Sequence, residues 1–234
     1  MVLPLYLAMT AAEFAVCSSF PQHLAWMACH FSSYGTGLSN LPPKLPEGSM
    51  VILNDRTSIC GHHSDEILCQ LTTLRPNSLL LDFQQPGVDE TMTLTQTLVK
   101  ELSCPVAVSH IYAKELDCPV FLPPVPPDVA SDAYFAPWQG REIWLEAAME
   151  GLTYTLTEHG SIASPLLQPP AGGFAETSLS CHYLIEPQED RVKFHLYRTA
   201  EDLHDLLENA KSHGVTKAVG LYQELCDHRF DPQT

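Results

Sequence analysis

Basic residues are scarce in this chain: twelve lysines and arginines stand against twenty-eight aspartates and glutamates, a formal net charge of −16. A surface with that balance repels phosphate backbones and anionic headgroups, so it argues against nucleic acid and membrane surfaces as partners and for a neutral or cationic ligand. Long apolar runs are also lacking. The opening stretch MVLPLYLAMTAAEFAV carries Pro4 and Glu13, has no basic segment before its apolar part, and falls short of the ~20 residues a membrane span needs. It is expected to form a first strand and helix, not a leader or an anchor. The eight cysteines contain no CxxC pair, and several sit inside apolar strand-like runs. Free thiols in a reducing cytoplasm are therefore expected in place of a disulfide framework or a zinc knuckle. There is no internal repeat, and without a G-x-S-x-G a serine-hydrolase triad has no support.

What is present is an alternation of short apolar strands with helical stretches, in a chain of 234 residues that is 45% hydrophobic and long enough to bury a sizeable core. The strands are expected at 3–8, 24–31, 50–55, 78–84, 105–110, 119–122, 142–147 and 216–222. Helices are expected after Thr10, where Glu13 completes a capping box, over 64–74, over 90–102, and after Thr199. Eight strands in this order predict one domain, an irregular (β/α)8 barrel of the TIM type, with an open doubly wound sheet as the alternative. Antiparallel hairpins are expected to be inserted at 142–158 and 180–198, the second turning at PQED.

In a parallel barrel the ligand site lies where the strands end. That rule selects Tyr34, then Asn54, Asp55 and Arg56, then Asp82, Gln84 and Gln85, then His110 and Tyr112 as ligand-binding candidates. Glu146 and Glu158 join them from the hairpin region. The segment CGHHSDE at 60–66 carries metal-ligand residue types, but adjacent residues rarely hold one ion and the spacing fits no zinc signature. Asp65 and Glu66 suit the positive end of the following helix instead. No metal or other cofactor is expected.

The stretch NSLLLDFQQPG at 77–87 carries a resemblance. Its alternate positions Leu80, Asp82 and Gln84 resemble the D-x-D-x-E pattern on the fourth barrel strand of the chitinase-like glycoside hydrolases of family 18, with only the middle aspartate kept. The resemblance implies a carbohydrate ligand and an inward-facing Asp82. It also implies that the family's general acid is missing, because Gln84 can donate a hydrogen bond but cannot give up a proton. The first reading is thus a cytoplasmic barrel that binds a carbohydrate or a related neutral small molecule without cleaving it. A second keeps the fold and makes it a hydrolase that uses Asp82 with a hairpin carboxylate, Glu146 or Glu158. A third makes it a protein-interaction scaffold whose hairpins build a homo-oligomer or partner interface.

Overall fold

The computed structural model describes residues 2–57, 59 and 61–226. In chain order its strands begin with β1 (Leu5–Met9), β2 (Leu24–Trp26), the two-residue β3 (His30–Phe31) and β4 (Leu38–Ser39), and β5 (Met50–Asn54). There follow β6 (Ser78–Asp82), β7 (Val106–Ser109), β8 (Val120–Leu122) and β9 (Ile143–Glu146). β10 (Gly151–Thr157), β11 (Gly160–Pro165), β12 (Phe174–Glu176), β13 (Cys181–Pro187) and β14 (Val192–Tyr197) form a second sheet, and β15 (Val215–Leu221) comes last. The helices are α1 (Ala11–Val16), α2 (Ser64–Leu74), α3 (Asp89–Glu101), α4 (Ser131–Phe135), α5 (Ala200–Ala210) and α6 (Tyr222–Leu225).

Eight parallel strands, β1, β2, β5, β6, β7, β8, β9 and β15, close on themselves. β15 inserts between β9 and β1, and β2 pairs with β5 through Ala25 to Met50 and Trp26 to Val51. The expected TIM-like barrel is therefore the fold. The runs are largely apolar because each strand is covered on both faces, with Lys217 of β15 an exception whose ammonium lies over the Trp144 ring. Tyr6, Ala8, Ala25, Met50, Ile52, Leu80, Ala107, Phe121, Trp144 and Val219 fill the interior, with every barrel strand contributing. The alternate residues, among them Leu79, Leu81, Leu53 and Val108, pack outward against Ile67, Leu71, Leu94, Leu98, Leu203 and Leu206 of the helices. Removing that much apolar surface from water is what the barrel gains at roughly 25 cal/mol per Å2.

Local signals set the helix ends. Thr10 and Glu13 form the expected capping box, and Thr199 forms another with Asp202. Gly214 ends the short turn after α5 at φ 91°, a left-handed conformation that glycine adopts without strain. Other connections carry little helix: a 3-10 turn, Ala113–Glu115, follows β7, and only the β3–β4 pair with its loops joins β2 to β5. The run expected as one strand over 24–31 bends after Trp26 and resumes at β3, which reaches β5 only at its end, His30 against Asn54.

The hairpin expected over 142–158 does not form. Residues 143–146 are the seventh barrel strand, parallel to β8 and β15, and β10 pairs instead with β11 and β14. The run IWL is buried at every residue, which a barrel strand requires and a solvated hairpin arm does not. The hairpin expected over 180–198 is present as β13–β14. These strands belong to an antiparallel sheet of order β11-β10-β14-β13-β12, inserted between β9 and α5. Arg198 ties it to the barrel. Its guanidinium, 2% exposed, donates to the carbonyls of Ser180, Val125 and Pro126. The seven described cysteines are free, and Cys60 lies outside the described residues. Among the described residues, no helix is long and apolar enough to cross a membrane, and no cluster of three or more His, Cys, Asp or Glu could hold a metal ion.

Candidate functional site

β6 places the central acid. Leu80 lies in the barrel interior and Phe83 in the outer layer, so the alternation of side chains turns Asp82 inward at the C-terminal mouth. Gln84 follows just past the strand and donates its amide Nε2 to Asp82 Oδ1 at 2.5 Å. Asn54 sits beside Asp82 in the ladder and accepts from the backbone N of Arg56.

Asp55 serves the backbone. It is buried and accepts from the N–H of Gln84 at 3.0 and 2.9 Å and from that of Gln85 at 2.8 Å, while its own carbonyl takes the Gln85 side-chain amide at 2.7 Å. The buried Tyr112 donates its hydroxyl to the Gln85 carbonyl. Asp55, Gln85 and Tyr112 thus hold the turn that presents Gln84. His110 is half-buried, with its ring edge-on to Trp138 at 6.5 Å, and burial and the nearby Lys114 hold its imidazole below the usual range. Tyr34 is fully exposed at a loop tip and joins none of these groups. Glu158 stands at the β10–β11 turn, 84% exposed, paired only with His159 at 3.3 Å among the described residues. Its charge is not among those acting on Asp82 or Glu146.

Glu146 does converge. It ends β9 two residues after the interior Trp144, so it too faces the mouth. Burial lifts its carboxyl from 4.5 to about 7, and the charges of Asp82, Glu150 and Glu224 push in the same direction. Among the described residues no hydrogen bond or ion pair holds it. Asp82 is also raised, first by burial and then by Asp55, but the Gln84 amide and Arg56 pull it back. Burial, with Glu146 and Glu150 adding, keeps the Tyr134 phenol protonated, and its hydroxyl donates to the Pro123 carbonyl at 2.6 Å. Glu224 accepts the Met149 N–H at 2.5 Å, and Glu150 feels the cation of Arg198. The mouth therefore holds two inward-facing carboxyls that burial raises, one opposed by an amide and a cation and the other by neither.

Three of these groups escape a reading of strand ends from the sequence: Tyr134, Glu150 and Glu224. The rule that points to Asp82 also points to Glu224 once it is applied just past 215–221. A separate cavity of about 340 Å3 opens between the first turns of α2 and α3, beside Ile59 and His62, and none of the mouth acids lines it.

Comparison with solved structures shows what this barrel is similar to. A chitinase from Chromobacterium violaceum superposes with a TM-score of 0.58 at 10% identity, over 98% of this chain and 96% of that one. A family 18 N-acetylglucosaminidase from Paenibacillus barengoltzii gives 0.55 at 10% identity, over 98% and 97%. The spore cortex-lytic enzyme SleL of Bacillus cereus gives 0.54 at 10%, over 93% and 70%. The fold thus resembles that of family 18 glycoside hydrolases. No protein-family model matches the sequence, and no curated protein matches it.

Proposed function

We propose that the C-terminal mouth of the barrel binds an oligosaccharide containing N-acetylated amino sugars. The observation that carries this reading is the Asp82–Gln84 pair at the end of β6, a carboxylate and an amide side by side on the inward face. Such a pair offers acceptors to sugar hydroxyls and acetamide N–H groups, and a donor to their oxygens. The similar barrels named a chitinase and an N-acetylglucosaminidase supply the class of sugar, and a net charge of −16 suits a neutral ligand. The test is calorimetric titration with chitotetraose. Binding is expected, weakened by Asp82→Ala and not by Glu158→Ala. Absence of heat with the folded wild type overturns the reading.

From cysteines that are all free among the described residues we infer a reducing compartment such as the cytoplasm. Burial holds the thiols of Cys29 and Cys181 up, to about 12 and about 11, so both stay protonated.

A second reading, an interaction surface, is favoured by one face of the inserted sheet. The register aligns Tyr154, Leu156, Phe174, Tyr183, Ile185 and Phe194 there, with Leu156, Phe174 and Ile185 exposed. Light scattering checks it: a dimer that Ile185→Asp converts to monomer supports a self-association face, and a monomeric wild type removes that occupant.

A further inference from the structure

We propose that Glu146, on the seventh barrel strand, is the proton donor of a glycoside-hydrolysing centre in which Asp82, on the fourth, is the base. The proposal rests on a carbohydrate occupying the mouth. It goes beyond binding because it moves the acid away from β6, where Gln84 cannot act as one.

Geometry limits the choice of donor. Of the mouth carboxylates, Asp55 is consumed by the Gln84 and Gln85 N–H groups, Asp82 accepts from Gln84, and Glu224 accepts from Met149. Glu150 lies four residues past the end of β9 and is exposed, with Arg198 opposing the rise that burial gives it. Glu146 is inward-facing by the alternation of β9 and, among the described residues, has neither a hydrogen-bond partner nor a cation acting on it. A proton donor has to be free to turn its O–H toward a substrate oxygen, and here that group is Glu146. Asp82 is on β6, which β7 and β8 separate from β9, so the two carboxyls face one another over the barrel interior from different strands. Burial raises Asp82, and the Gln84 amide and Arg56 oppose that rise, while no such donor or cation acts on Glu146.

The step balances with water alone. The Glu146 proton passes to the glycosidic oxygen as the bond from that oxygen to the anomeric carbon breaks, and the bond pair stays on the departing oxygen. A water molecule gives a lone pair to the anomeric carbon and its proton to Asp82. The products are a sugar hemiacetal and a free hydroxyl, and exchange of a proton from Asp82 to Glu146 through solvent resets the site.

The experiment compares wild type, Glu146→Gln and Asp82→Asn for binding of chitotetraose and for hydrolysis of two substrates, chitotetraose itself and the 4-methylumbelliferyl glycoside of N,N′-diacetylchitobiose. Wild type is expected to cleave both, with kcat falling as pH rises through about 7. Glu146→Gln should bind as wild type does, lose about 10²-fold or more in kcat on chitotetraose, and lose much less on the aryl glycoside, whose leaving group departs with little help. Its fall in rate near neutrality should vanish. A structural role for Glu146 would slow both substrates alike, which overturns the proposal. So does a wild type that binds chitotetraose and cleaves neither substrate, an outcome that leaves the binding reading standing. Absence of binding removes that reading and this inference with it. Circular dichroism establishes that each variant is folded, and the wild-type pH profile tests the proposal without any variant.

Discussion

At the scale of single residues, Glu146 and Asp55 make opposite contributions. Glu146 keeps its proton to about 7 in the folded chain but releases it from 4.5 upward when unfolded. Across that window the unfolded chain gives up a proton that the folded one retains. Stability therefore falls as pH rises through it, by roughly 3 kcal/mol in full, and nothing is lost below it. Glu146→Gln should leave the urea midpoint unchanged below pH 4.5 and raise it above pH 7, and equal midpoints above pH 7 would contradict the burial argument. Asp55 accepts from two backbone N–H groups at a buried site, so Asp55→Ala should destabilise by about 2 to 4 kcal/mol, with Asp55→Asn recovering part. A loss under about 0.5 kcal/mol would mean that water replaces those bonds.

At the scale of elements, the same cap has different weight in different places. α1 buries none of its residues, whereas α5 buries Asp202, Leu203, Leu206, Leu207 and Ala210. Thr10→Ala should therefore fray α1 with little change in the global unfolding midpoint, while Thr199→Ala should cost about 1 to 2 kcal/mol. Denaturant melts of the two variants check the contrast, and equal losses would refute it. The helices were legible because capping boxes and apolar spacing are local. β9 and β10 show where local signals stop. Each reads as a strand, but besides its neighbour β11 the partner of β10 is β14, some forty residues on, and nothing near Gly151 encodes that choice. Glu158 is a site candidate only through a hairpin over 142–158, and it stands exposed at the β10–β11 turn.

At the scale of the whole molecule, the barrel is readable because a strand buried on both faces must be largely apolar, so its eight runs stand out whatever they pair with. The mouth was readable only in part. Asp82 follows from the rule of strand ends and Glu146 from the expected hairpin, but the rule cannot tell that Asp55 and Tyr112 are spent on the backbone, because that depends on burial and on the turn after β6. The cysteines give a test at this scale: denatured, unreduced protein should titrate with eight free thiols. Two or more protected thiols would overturn the assignment to a reducing compartment.

The place of β15 has a consequence for synthesis. Leu5 pairs with Ala218, so the first strand made waits for the last, and the inserted sheet emerges between them. Until residues 215–221 leave the ribosome, β1 and β9 each present a bare apolar edge to the cell. Nascent chains stalled just before Val215 should therefore recruit holdase chaperones or aggregate, and release of the final strand should end that vulnerability.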